Sequence, residues 1–219
     1  MNKEPVLFLA IVKEGMASRL LKRAKQAGAS GGTIIRAYGT VQSNLLRSLG
    51  LQGAEREIFL TIVPKEKEAD IHAHLEDALK LKKKGTGVLF SFDVSSYLGN
   101  QNHSYLFNEA DQGSKDQLLV TIVQRDLADQ VVDAARDEGA KGATILHGRG
   151  SGAHEKSTIF SIQIEPEKEI VWMVLPANKI KQVTDNISET MKITEPGHGL
   201  IFSLPISSVS GLIGQGKKA

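Results

Sequence analysis

The sequence repeats itself. Three segments recur at a nearly fixed spacing: GASGGTI (28–34) as GAKGATI (139–145), EREIFLTIVP (55–64) as EKEIVWMVLP (167–176), and GTGVLFS (85–91) as GHGLIFS (197–203). The first pair is 111 residues apart and the last pair 112, so about one residue was gained between the copies. A chain of 219 residues built this way predicts two small domains, each able to bury its own core.

Each copy has the pattern βαββαβ. Apolar runs predict strands and apolar residues at helical spacing predict helices, with Pro64 and Pro176 ending the third strand of each copy. We therefore expect an α+β fold of two tandem ferredoxin-like domains, each with a four-stranded antiparallel sheet and two helices. The predicted boundaries are 1–98 for the first domain, 99–116 for a polar linker without sustained period, and 117–219 for the second domain.

Both faces of the predicted sheets are apolar. Phe8, Ala10, Phe90 and Phe92 alternate with further apolar residues on their strands. The helices cover one face, so the other face requires a second domain or another chain. The sequence thus predicts an oligomer, or packing of the two repeats on each other.

Composition excludes several classes of function. A formal net charge of +2 and an aromatic content of 5% argue against a nucleic-acid surface, and the absence of cysteine excludes disulfides and thiolate chemistry. The apolar run near the N-terminus is too short, and too soon followed by charge, for a membrane span or signal peptide. We expect a cytoplasmic protein without membrane insertion.

A glycine-rich loop follows the second strand of the second copy. Gly148, Gly150 and Gly152 alternate there, and such glycines let backbone N–H groups approach an anion; a flexible connection between strands is the plainer interpretation. The nearby Lys156-Ser157 pair is reminiscent of a nucleotide-binding P-loop, but the second glycine is missing and a strand-like pattern follows over 158–164. We reject the NTPase interpretation.

These features resemble the PII signalling family of nitrogen regulatory proteins. Its turn and last strand correspond to GHGLIFSLPI (197–206) and GTGVLFSFDV (85–94), and its glycine-x-glycine corresponds to Gly150 and Gly152. In the first copy only Gly39 matches, with Val41 at the second place. The resemblance implies a non-catalytic sensor that binds a small anionic effector, ATP, ADP or another adenine nucleotide, and regulates an unknown target protein through its loops. It also implies a homo-oligomer, three two-domain chains giving six domains.

The resemblance places the ligand between the glycine loop of one domain and the glycine turn of its neighbour. The corresponding residues are Gly148, Arg149, Gly150, Gly152, His154, Lys156, Gly197, His198, Gly199, Gly39, Gly85, Thr86 and Gly87. Three departures stand out: Val88 and Leu200 replace the turn's lysine, no arginine follows the last strand of either copy, and neither loop carries the tyrosine that is uridylylated in the family. A plainer interpretation is that Arg149 and Lys156 are charged loop residues exposed to solvent, without a role in binding.

Two other interpretations stay open. His147, His154 and His198 lie in loops that the family fold brings together, so a divalent-metal protein of the related trimeric ion-tolerance type is conceivable, although the histidines show no ligand spacing. Leucines within residues 43–52 suggest a packing segment, as in an interaction scaffold without ligand. We find no arrangement of side chains that indicates an enzyme.

Overall fold

The computed structural model describes residues 5–40, 53–80, 86–99, 106–107, 114–152, 158–159, 162–163 and 165–212. The chain forms two units: unit 1 is Met1–Asp93 with His147–Lys168, and unit 2 is Val94–Leu146 with Glu169–Ala219. The sequence-based boundaries divide the chain by repeat and stay a prediction. The packing units differ from that division because 147–168 joins unit 1 and 94–116 joins unit 2.

Unit 1 contains the first βαββαβ element series. Its elements are β1 (Pro5–Lys13), α1 (Ala17–Gln26), β2 (Gly32–Thr40), β3 (Gly53–Pro64), a 3-10 turn (Lys65–Lys67), α2 (Glu68–Leu79) and β4 (Gly87–Asp93). The strand order is β4-β1-β3-β2, with β1 antiparallel to both of its neighbours and β2 antiparallel to β3. The predicted strands and helices of this repeat are present, and β3 ends at Pro64 as expected.

The core of unit 1 lies between this sheet and its two helices. Alternate residues of β1 point toward the helices, which supply a stripe of small and branched apolar side chains at helical spacing. The buried set comprises Val6, Phe8, Ala10, Val12, Ala17, Leu20, Leu21, Ala24, Ile34, Phe59, Val63, Ile71, Leu75, Ala78 and Leu79. The alternation seen in the sequence is thus the packing of one sheet face.

The opposite face of this sheet is apolar as well. Leu7 pairs with Phe92 and Leu9 with Phe90, so both phenylalanines lie on the face away from the helices. Phe90 and Phe92 contact each other edge to face, with 5.4 Å between ring centroids. Phe92 is 43% exposed, and an apolar face open at this edge is suited to further burial.

Unit 2 contains the second series, with an extension of its sheet. Its elements are β5 (Ser96–Leu98), β6 (Leu106–Phe107), β7 (Asp116–Gln124), α3 (Ala128–Asp137), the start of β8 (Thr144–Ser151), most of β11 (Glu167–Pro176), α4 (Ala177–Met191) and β12 (Leu200–Ile206). From β11 the strand order continues β7-β12-β5-β6. Strands β7 and β12 pair antiparallel, as do β12 and β5 and then β5 and β6.

Two features of this region add to the sequence-based description. The sheet of unit 2 is not limited to four strands, because β5 and β6 extend it beyond β12. The predicted linker, 99–116, contains β6 and the first residue of β7. The physical reason is that the outer edge of β12 offers unpaired backbone groups, which even a three-residue strand can satisfy.

The predicted strand over 158–164 is also different. Within unit 1, β9 (Thr158–Ile159) and β10 (Ile162–Gln163) pair with each other, Ile162 opposite Ile159 and Gln163 opposite Thr158. Residues 158–159 and 162–163 of this segment therefore form two short strands paired with each other. Among the helices of the described residues, none has the length and apolar character needed to cross a membrane.

We expect Phe59→Ala to destabilise unit 1 strongly. Phe59 is completely buried between sheet and helices, so truncation leaves a cavity that should lower the free energy of unfolding by about 3–5 kcal/mol. Urea unfolding followed by circular dichroism measures the change. Tyr38→Ala is the control, because that side chain is 82% exposed and its loss should cost about 0.5 kcal/mol or less. Equal effects would contradict the core assignment.

Candidate functional site

The glycine loop of the second repeat has its base on the sheet of unit 1. The end of β8 pairs antiparallel with β2, Thr33 opposite Gly150 and Ile34 opposite Arg149. The backbone N–H of Gly150 donates to the carbonyl oxygen of Pro166 at 3.0 Å. The chain that leaves β8 after Ser151 therefore returns beside its own starting point, and the loop has a closed base.

Gly150 has a steric reason to be glycine. A Cβ there would lie 2.9 Å from the Cα of Thr33 and collide with the carbonyl oxygen of Gly32. Immediately before the facing strand β2, a Cβ on Gly31 would collide with the carbonyl oxygen of Ser151. Backbone cannot yield as a flexible side chain can, so β2 and β8 approach this closely only because both strands carry glycine here. At Gly152, in contrast, an added Cβ meets no atom of the described residues within 4 Å.

Arg149 is held between two carboxylates. Its Nη2 donates to Glu57 Oε1 and its Nε donates to Glu165 Oε2, each at 2.7 Å. Side-chain exposure is 28% for Arg149, 2% for Glu57 and 11% for Glu165. Partial burial acts to lower the pKa of Arg149, but the bonds to both carboxylates outweigh it and raise that pKa. The guanidinium thus joins β3, β8 and the returning end of the loop.

Glu57 also caps the first helix. Its Oε2 accepts the backbone N–H of Ala17 at 2.9 Å, at the start of α1, where Met16 provides no side-chain cap. The N-terminus of a helix carries partial positive charge and unsatisfied N–H groups, which explains why a carboxylate can be buried there. Sequence reasoning missed this role, since the two residues are 40 positions apart.

Unit 2 repeats the arrangement. Glu169 Oε2 accepts the backbone N–H groups of Leu127 at 3.1 Å and Ala128 at 2.8 Å, at the start of α3. Glu57 and Glu169 occupy the same place in the duplicated segments EREI and EKEI. Both helices have an apolar residue at the N-cap position, Met16 and Leu127, where Ser, Thr, Asp or Asn is usual. Together with the shared glutamate, this was the signal that could have identified the caps.

Helix α1 supplies two further contacts to the loop base. Ser18 Oγ donates to Glu165 Oε2 at 3.0 Å. Lys25 Nζ donates to Ser151 Oγ at 2.6 Å and to the carbonyl oxygen of Gly152 at 3.3 Å. Lys25 is thus a cation beside the predicted anion loop, although nothing in the local sequence pattern marked it.

The glycine turns before the last strand have the same geometry in both units. Gly87 has φ +153° and Gly199 has φ +142°, and a Cβ on either would crowd a carbonyl oxygen of the neighbouring strand, Ile11 O at 2.6 Å or Ile122 O at 2.5 Å. Gly87 belongs to unit 1 with Thr86, whereas Gly199 belongs to unit 2 with Gly197 and His198.

The remaining predicted site residues either have other contacts or fall outside the described residues. Gly39 pairs with Ala54 across β2 and β3, and Gly148 pairs with Ile35. His198 in unit 2 contacts Met191 O at 3.2 Å through Nδ1 and Glu195 Oε2 at 3.4 Å through Nε2. Outside the described residues fall Gly85, His154, Lys156 and the leucine segment 43–52.

The described part of the chain contains no group of three or more His, Asp or Glu side chains able to hold a metal ion. His147 lies in unit 1 and His198 in unit 2, while His154 is not described. The loop base instead carries the chemistry of binding: backbone amides, a hydroxyl, an ammonium group, and a guanidinium already neutralised by carboxylates.

The strand order β4-β1-β3-β2, with both helices packed on one face, is that of a ferredoxin-like α+β domain, and the second repeat has the corresponding order β12-β7-β11-β8. Residues 117–213 match the family model described as "Nitrogen regulatory protein P-II". The second repeat is therefore similar to the PII family. The match does not extend to the first repeat. The similarity of the first repeat to the second rests on the duplicated segments and the shared strand order.

Among solved structures, the chain is similar to Arabidopsis thaliana PII crystallised with citrate. The identity is 26%, and the alignment covers 43% of this chain and 77% of that one with a TM-score of 0.33. No curated protein matches the chain.

We expect Arg149→Met to destabilise the fold. Removing the guanidinium leaves Glu57 buried without its cationic partner, a change that typically costs about 3–5 kcal/mol. The remaining bond from Ala17 N–H should keep the loss toward the lower end. Thermal unfolding of the single variant, of Glu57→Gln and of the double variant measures the coupling. Additive effects in this cycle would contradict a direct interaction.

Two loop glycines should respond differently to alanine. Gly150→Ala must displace the backbone of β2 and should lower the free energy of unfolding by about 1–3 kcal/mol. Gly152→Ala has open space for the methyl group and should change it by about 0.5 kcal/mol or less. Urea unfolding compares the pair; equal stability of the two variants would contradict the close approach of β2 and β8.

Proposed function

We propose that the chain is a non-catalytic, cytoplasmic signalling protein of the PII type that binds a small anionic ligand, an adenine nucleotide such as ATP or ADP. The observation that carries the proposal is the family match over 117–213, which includes both the glycine loop after β8 and the turn before β12. The closed loop base and its nearby ammonium group support it.

In this proposal the phosphates are bound at the glycine loop by backbone N–H groups at Gly148 and Gly152, while Gly150, whose N–H donates to Pro166 O, keeps the loop base closed. The turn Gly197–His198–Gly199 of unit 2 is a second proposed binding element. His154 and Lys156 complete the loop, and Gly39, Gly85, Thr86 and Gly87 play the corresponding part in the first repeat. Backbone amides together with a cation suit a polyphosphate. We assign the role of this cation to Lys25, since it already contacts Ser151 and Gly152.

Arg149 has a different task. Its charge is balanced by Glu57 and Glu165, so it holds the loop base closed and is not available as a phosphate ligand without breaking two short ion pairs. A ligand that orders the loop above this base would change the surface offered to a target protein. The apolar sheet face that includes Phe90 and Phe92 supports association into a homo-oligomer, which we propose to contain three chains.

Calorimetric titration tests the nucleotide. We expect ATP or ADP to bind wild type, and Gly152→Ala to weaken binding by about tenfold or more, because the methyl group obstructs approach to the backbone amides. Gly142→Ala is the matched control: within the part of the chain that the structure describes, an added Cβ there also meets no atom within 4 Å, and the residue lies before β8 and outside the loop. Both variants should keep the stability of wild type.

Two outcomes would contradict the proposal. Absence of binding heat with ATP, ADP and cyclic dinucleotides for folded wild type removes the nucleotide sensor. Equal weakening by both glycine variants removes the loop as the site. The first outcome would favour a scaffold without ligand, a candidate that the neutralised Arg149 specifically supports.

A further inference from the structure

The duplication continues past the last strand of each repeat. After β4 the sequence reads SSYLG (95–99), and after β12 it reads SSVSG (207–211). The separation is again 112 residues, the same as between the glycine turns that precede these strands. Each repeat therefore ends in a related short segment, and what the first segment does indicates what the second one can do.

The first segment pairs with the outer edge of β12. Strand β5 runs antiparallel to it, with Ser96 opposite Ser203, Tyr97 opposite Phe202 and Leu98 opposite Ile201. The backbone N–H of Ser95 donates to Ser203 O at 2.9 Å, and the Ser96 and Ser203 hydroxyls are 2.6 Å apart. Phe202 is only 2% exposed beside this added strand. The segment thus completes an otherwise open edge.

The second segment has no such partner strand among the described residues. Residues 207–212 form no strand, and serines 207, 208 and 210 are exposed. Its counterpart target would be β4, because Ser91, Phe90 and Leu89 correspond to Ser203, Phe202 and Ile201. In the described part of the chain, β4 is the last strand at its end of the sheet, and Val88 and Phe92 are 48% and 43% exposed.

We propose that the segment 207–210 of one chain adds as an antiparallel strand to β4 of a second copy of this chain. The register follows from the first segment: Ser208 lies opposite Ser91, Val209 opposite Phe90 and Ser210 opposite Leu89. Val209 then shares a sheet face with Phe90, and its diagonal neighbours are Val88 and Phe92, the exposed apolar residues of that edge. Main-chain hydrogen bonds supply the affinity, as in other cases of strand addition.

The occupant is a second copy because one chain carries both partners, and within its described residues neither segment 207–210 nor the outer edge of β4 has a strand partner. The first segment is used inside the chain, on β12; the second then passes to the first repeat of the next chain. Such a head-to-tail contact is heterologous, and it closes into a ring when the rotation between chains permits. The inference rests on the oligomer of the proposed function and is independent of the nucleotide.

Disulfide trapping tests the register. The chain has no cysteine, so Ser91→Cys and Ser208→Cys introduce single thiols. Directly opposed residues of antiparallel strands have Cα atoms about 4.5–5.5 Å apart, within the range of about 4.4–6.8 Å that a disulfide spans. We co-express the two single variants with different tags and oxidise them. The expected product is a linked pair carrying both tags, seen on a non-reducing gel and lost on reduction.

The disulfide experiment has a positive and a negative control. Ser96→Cys with Ser203→Cys in one chain should form an internal disulfide, since this pair is opposed in the structure. Ser91→Cys co-expressed with Ser207→Cys should give no linked pair, because residue 207 is one position out of register and its side chain points to the other face. Circular dichroism confirms that every variant is folded.

Absence of the linked pair, with the internal control formed, overturns the proposal. It is equally overturned if the Ser91→Cys/Ser208→Cys double variant forms only an internal disulfide, or if the Ser207→Cys control links as well. Light scattering separates this failure from that of the proposed function. A multi-chain mass without the linked pair rejects only the strand, whereas a single-chain mass rejects the oligomer too; nucleotide binding is measured separately.

Discussion

A buried carboxylate on the third strand of each repeat is the interaction on which the rest of the structure depends. Glu57 is 2% exposed and Glu169 is 8% exposed, and burial of a charge is costly unless it is compensated. Both accept N–H groups at the start of the first helix of their repeat. The bond fixes where that helix begins over the sheet, and hence which helix face meets the core. In unit 1 the second oxygen also holds Arg149, so the base of the glycine loop depends on the same residue.

The helices and strands of the repeats could be predicted because the spacing of their apolar residues follows from which face of each element packs on the core. Alternate residues of β1 face the helices, the helical stripe of α1 faces the sheet, and Pro64 ends β3 because proline cannot continue a central strand. Strands β5 and β6 carry no such signal. A three-residue and a two-residue strand are too short to show a period, and their pairing is determined by the open edge of β12 far away in the sequence. Hence the segment after β4 was interpreted as the end of one domain and a linker.

The sequence marks the residues of the candidate site, but it does not reveal the contacts that constrain them. The alternating glycines drew attention to the end of β8, yet Gly150 must be glycine because β2 passes beside it, and β2 is more than a hundred residues away. The charge of Arg149 could not be assessed from its loop either, since Glu57 is 92 positions away. Local sequence shows that a small or charged residue is present; only the fold shows which atoms make it necessary.

The two repeats share what forms the scaffold and differ where the loops begin. Glu57 corresponds to Glu169 and Gly87 to Gly199: each glutamate accepts an N–H at the start of a helix, and each glycine lies close to a carbonyl oxygen of the neighbouring strand. Arg149, in contrast, corresponds to Tyr38, which is 82% exposed. A tyrosine cannot bridge two carboxylates as a guanidinium does, so the first repeat cannot close its loop base with this ion pair. Duplication therefore preserved the parts that both cores need, while the loop bases became free to diverge. An asymmetric protein with two different loops on equivalent scaffolds is the physical consequence.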